Sequence, residues 1–138
     1  MEQKRPKLAK VVSELFFRDH ARPVELLSLV ILSSWAQFLL TSPDTFRLPR
    51  YSGFSALEPS SWATIIFAVI GAQIVALWPR RWAGWVRFFA MAMASGLWAI
   101  IAANFWTGDA PILARTFTSF ALASVATTAY LGAAARQH

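Results

Sequence analysis

The chain has 138 residues, of which 57% are hydrophobic and 14% charged, with a mean hydropathy of +0.46. Soluble domains carry about a quarter charged residues, so composition excludes that class and makes the bilayer the solvent. The net charge of +6 does not point to nucleic acid, because the basic residues flank apolar runs instead of lining an aromatic-studded groove; anionic lipid headgroups are the expected partner.

Residues 1–22 read as one unit. Leu8, Val11, Val12, Leu15 and Phe16 fall on one helical face, with Lys7, Lys10, Glu14 and Arg18 on the other. This pattern predicts a basic amphipathic helix lying in the membrane interface; the alternative is a helix packed under the bundle or against a partner protein. A cleaved signal peptide is not expected, since the apolar run from Pro23 to Leu40 is too long for a signal core and closes on no small-x-small site.

Residues 23–138 predict an all-α transmembrane domain of four spans arranged as two hairpins. Span one covers about 24–42, opening on Pro23 and carrying no charge after Glu25. The stretch from Pro43 to Ser61, with three prolines and a glycine, is expected to be a loop, with Phe46, Tyr51 and Phe54 as interfacial anchors. Span two, about 62–78, starts at Trp62 after the candidate caps Ser60 and Ser61 and presents Thr64, Ala68, Ala72 and Ala76 as a small face.

A basic turn containing Trp78, Pro79, Arg80, Arg81, Trp82 and Trp85 then reverses the chain. Span three, about 86–106, carries a second small seam of Ala92, Gly96, Ala99 and Ala103 and ends at Trp106. Trp62, Trp78, Trp82, Trp85 and Trp106 are expected to anchor the helix ends at headgroup level. Span four, about 113–135, is rich in small and hydroxyl residues, and its stripe Ala121, Ser124 and Thr128 predicts a position inside the bundle.

Orientation follows from the basic residues. Lys4, Arg5, Lys7, Lys10, Arg18, Arg22, Arg80, Arg81, Arg87 and Arg136 fall on one side, against Arg47, Arg50 and Arg115 on the other. Positive charge favours the inner side, which predicts a protein of the bacterial inner membrane with both termini cytoplasmic.

No residue set points to catalysis. The chain has no cysteine, its two histidines His20 and His138 have no companion ligands, and no serine has an activating base, so neither enzyme activity nor a metal or other cofactor is expected. Glu25, at the end of span one, reads as a surface ion pair with Arg22 or a headgroup contact ahead of a proton-coupling role. The membrane-embedded amides Gln37, Gln73 and Asn104 are candidates for interhelical hydrogen bonds or a pore lining. By depth, Gln37 pairs with Asn104, and Gln73 with Ser28 and with Thr128 or Tyr130.

Arg22-Pro23-Val24-Glu25, Pro43-Asp44-Thr45-Phe46 and Leu57-Glu58-Pro59 give the chain a resemblance to small four-span membrane proteins of tailed-phage genomes. The wider class it resembles, by size and hydropathy, is the phage holins, although the tail Arg136-Gln137-His138 is shorter than the charged tails common in holins. The resemblance implies a homo-oligomer that permeabilises the inner membrane for lysis, with no catalytic residues to carry over. A non-enzymatic anchor or accessory subunit bound to a partner membrane protein is the alternative. A small-molecule exporter ranks third, since span one lacks a membrane-embedded glutamate of the kind such exporters use.

Overall fold

The computed structural model describes residues 19–78 and 82–137. The amphipathic helix expected over 1–22 falls almost wholly outside them, as do Pro79, Arg80 and Arg81 of the basic turn. Among the described residues the chain is all-helical: α1 (Arg22–Thr41), α2 (Pro59–Ala76), α3 (Ala83–Thr107) and α4 (Pro111–Ala135), joined between α1 and α2 by two 3-10 turns, Pro43–Arg47 and Pro49–Phe54. The four long helices are each long and apolar enough to cross a membrane. At 1.5 Å per residue they measure about 27–38 Å, against about 30 Å of hydrocarbon.

Proline sets three of the helix starts. Pro23, Pro59 and Pro111 all sit in the first turn, where the missing N–H is lost at no cost and φ is already helical. For this reason α2 begins at Pro59 after Glu58, not at Trp62 as expected. Ser60 and Ser61 lie inside its first turn instead of capping it.

Consecutive helices are neighbours: α1 packs on α2, α2 on α3 and α3 most extensively on α4, whereas α1 barely touches α4. The result is two antiparallel hairpins laid side by side. Large apolar side chains cover the outside, among them Val30, Phe67, Val75, Phe89, Leu122 and Val125, while Ser28, Gln73, Ser95, Ser124 and Thr127 are buried. Lipid tails solvate the first group as well as a protein core would, so interhelical hydrogen bonds and close packing hold the centre. Trp98, fully buried, fills that centre by stacking on Phe117 at 5.7 Å and meeting Phe120 edge-on at 4.7 Å.

The 43–58 connection is an ordered cap and not an open loop. Residues three apart eclipse in a 3-10 turn, which turns Tyr51 and Phe54 together into the bundle end. Phe54 is 2% exposed and touches Phe105 at 5.1 Å and Trp62 at 5.5 Å. The Trp62 indole donates to the Phe54 carbonyl at 2.9 Å. Tyr51, Phe54 and Trp62 are therefore buried cap residues, not headgroup anchors; Phe46 stacks on Phe54 at 5.6 Å. Gly53 permits this closure, because a Cβ there would collide with the Asn104 carbonyl and the Thr107 hydroxyl.

Candidate functional site: polar groups inside the bundle

Two helical stripes bring charge inside. On α1 the buried face runs through Glu25, Ser28, Leu32, Ala36 and Leu39. On α3 the inward face carries the partly buried Arg87, then Met91, Ala94, Trp98, Ile101 and Phe105. Both follow the three- and four-residue helical spacing, so Glu25 and Arg87 project into the bundle near the end where α1 begins.

Arg87 closes a two-carboxylate site. Its Nε donates to Glu25 Oε1 at 2.9 Å and its Nη2 to Glu25 Oε2 at 2.8 Å, a forked pair, while Nη1 donates to Asp19 Oδ2 at 2.6 Å. Arg22 stands 3.6 Å from Glu25. Among the described residues the two carboxylates and two guanidiniums balance, which is the condition for holding charge away from water. Glu25 is 7% exposed, so it is neither a surface ion pair nor a headgroup contact, and Arg87 is its main partner instead of Arg22. Partial burial opposes ionisation of Asp19. The Ala21 N–H, the Arg87 hydrogen bond and the charges of Arg87 and Arg22 outweigh it and hold the carboxyl below its ordinary value.

Deeper in the bundle lies a neutral cluster. Gln73 Nε2 donates to Ser28 Oγ at 3.1 Å, and the Trp98 indole donates to the same oxygen at 2.9 Å. A third contact, Ser95 to Thr128 at 2.9 Å, joins α3 to α4. Gln73 thus meets Ser28 as its depth predicted, Thr128 pairs with Ser95 instead of Gln73, and Tyr130 is exposed.

The remaining candidates are not brought together. Gln37 faces outward from α1, and the Asn104 amide donates to the Ile100 carbonyl of its own helix at 2.9 Å, so the expected Gln37–Asn104 bond is not formed. The α3 seam also faces out: Gly96, Ala99 and Ala103 are exposed, Ala92 is half-buried, and a Cβ on Gly96 would meet nothing within 4 Å. At Gly96, Ala99 and Ala103 it therefore packs against no other described helix of the chain. The α4 stripe does point inward, with Ala121 and Ser124 buried. Trp78, Trp82, Trp85 and Trp106 are exposed at helix ends, where an anchor belongs; Trp106 also donates to Thr118 at 2.9 Å.

The sequence carried a signal for the Glu25–Arg87 pair. Glu25 shares helical phase with Ser28, Leu32 and Leu39, and Arg87 with Met91, Ala94 and Trp98. Among the described residues no three His, Cys, Asp or Glu side chains come together as a metal site. The arrangement fixes helices relative to one another and positions the chain at Asp19. Comparison with protein-family models, curated proteins and solved structures gives no match to this chain.

Proposed function

We propose that the chain is a holin-like protein of the bacterial inner membrane, with both termini cytoplasmic, that assembles with copies of itself and opens the membrane for lysis. The observation that carries this reading is the polar stripe on the outside of α1, where Ser33, Ser34, Gln37 and Thr41 are exposed. The hydroxyls of Ser33, Ser34 and Thr41 turn back onto carbonyls four residues earlier, at 2.8, 3.0 and 2.9 Å. The Gln37 amide has no such bond. Hydrocarbon offers it nothing, whereas a second stripe or the water of an opening between copies satisfies it.

Trp98, Phe105 and Leu32 fill the inside of each protomer, so the path runs between protomers. That reasoning moves the lining role to Gln37, because Gln73 is committed to Ser28. The outward seam of Ala92, Gly96, Ala99 and Ala103 supplies a surface on which a neighbouring helix approaches closely.

Inducible expression in a bacterium with a membrane-potential dye and a co-expressed cytoplasmic endolysin tests the reading. Accumulation should end in abrupt depolarisation and lysis, and Gln37→Leu should delay or abolish both. High-level expression without depolarisation removes the holin reading. The same outward stripe would then be the contact of a non-enzymatic anchor or accessory subunit with a partner helix. Depolarisation by Gln37→Leu with wild-type timing removes the stripe as the lining.

A further inference from the structure

The chain enters the bundle through a tight turn at Asp19, whose carbonyl accepts from the Arg22 N–H at 3.1 Å. The carboxylate works on two sides at once. Its Oδ1 accepts from the Ala21 N–H at 3.1 Å and closes the turn, while Oδ2 accepts from Arg87 Nη1 at 2.6 Å and ties the turn to α3 across 68 positions of sequence. Ala21 is 3% exposed and seated in the core, and its carbonyl accepts the Glu25 N–H at 3.1 Å, so α1 has a seat of its own beyond the turn. His20, between the two, is exposed.

The two carboxylates on Arg87 are unequal. Glu25 takes two N–H groups in a fork and its side chain is 8% exposed, whereas Asp19 takes one and is 25% exposed. Water compensates a partly exposed carboxylate that lets go, and little compensates a buried one. When Asp19 leaves, the fork remains, Arg87 keeps a counter-charge and α1 stays tied to α3.

We propose that the Asp19–Arg87 bond is a latch that opens before the bundle does. Closed, it fixes to the start of α3 the point at which the preceding chain joins the bundle. Open, it frees that point to move about Ala21 while the Glu25–Arg87 fork holds the helices, a local opening that leaves the body folded. Lys4, Arg5, Lys7, Lys10 and Arg18 all precede the latch, so it sets whether this positive charge moves with the bundle or apart from it. Among the described residues, the charged groups around Asp19 are Arg87 of α3 and Arg22 and Glu25 of α1, with His20 next to it in the chain. The two guanidiniums favour the ionised carboxyl, so the latch is closed at neutral pH and acid opens it. This inference does not depend on the holin reading.

The chain has no cysteine, so a single nitroxide label is unambiguous. On His20→Cys it reports the latch, and on Val30→Cys, on the outward face of α1, it reports the bundle. In lipid nanodiscs at neutral pH, Asp19→Ala should shorten the rotational correlation time at residue 20 by about threefold or more and leave residue 30 unchanged. With Asp19 intact, acidification below about pH 4 should loosen residue 20 in the same way, and in Asp19→Ala it should add nothing. No change at residue 20 in Asp19→Ala means that other contacts hold the turn, and overturns the latch. Loosening of both labels means that the bond belongs to the stability of the bundle itself and overturns it too, as does an acid response that persists in Asp19→Ala.

Discussion

Arg87→Met is the most demanding perturbation of this bundle. The substitution keeps a long apolar stem but deletes three N–H donors that reach Glu25 at 2.8 and 2.9 Å and Asp19 at 2.6 Å. The Glu25 side chain is only 8% exposed and would retain, among the described residues, Arg22 at 3.6 Å; Asp19, at 25%, recovers some water. Removing one partner of a buried pair costs about 3–5 kcal/mol, mostly as the penalty of the charge left behind. Against a total stability of about 5–15 kcal/mol, that is a large share. Glu25→Leu should be comparably harmful, because it leaves Arg87 with Asp19 only. The double variant leaves Asp19 and Arg22, both more exposed than Glu25, and should lose about 1–2 kcal/mol, less than either single substitution. Equilibrium unfolding in mixed micelles, titrated with sodium dodecyl sulfate and followed by tryptophan fluorescence, measures all three. Losses that simply add, or an Arg87→Met loss below about 1 kcal/mol, would show that the carboxylates are hydrated and refute the buried-pair argument.

Asp19 gives a pH dependence of definite sign. Its carboxyl is held below the ordinary value, so its contribution is fully present above the unfolded value of about 3.9 and is lost as pH falls through the lower folded value. Melting temperature should therefore drop on acidification below about pH 4, and Asp19→Asn should shrink that drop relative to wild type. Gly53→Ala should destabilise the cap by about 1–3 kcal/mol, since its Cβ meets the Asn104 backbone carbonyl, which cannot swing aside as the Thr107 hydroxyl could. Gly96→Ala meets open space and should stabilise the isolated protomer by about 0.5–1 kcal/mol through helix propensity; thermal melts of the two variants in detergent check both signs. For topology, Ser52→Cys should react with an impermeant thiol reagent on intact cells and Gln137→Cys should not, and the reverse pattern would invert the orientation drawn from the basic residues.

The four spans were legible because hydrophobic run length, proline and turn chemistry act locally. A run of about twenty uncharged residues has few alternatives in a bilayer, and Pro23, Pro43, Pro59 and Pro111 punctuate the chain whatever surrounds it. Depth along a span is also local, which is why Gln73 and Ser28 could be matched by level. Rotation about the helix axis is decided elsewhere. A small stripe such as Ala92, Gly96, Ala99 and Ala103 suits a neighbour inside the protomer or outside it equally well. It faces outward because the opposite face of α3 carries Met91, Trp98, Ile101 and Phe105, which fill the space beside α4. The same geometry turns Gln37 outward when Ser28, Leu32 and Ala36 turn in. The aromatic cap needed tertiary structure for another reason. Tyr51, Phe54 and Trp62 suit an interface by composition, and only the eclipsed 3-10 turns and the close approach at Gly53 place Tyr51 and Phe54 over Phe105, with Trp62 against Phe54. Glu25 and Arg87 are 62 residues apart in the chain, and their pairing was settled when antiparallel packing brought the first turn of α1 and the start of α3 to the same end of the bundle. Once they were there, burial made each the other's necessary partner.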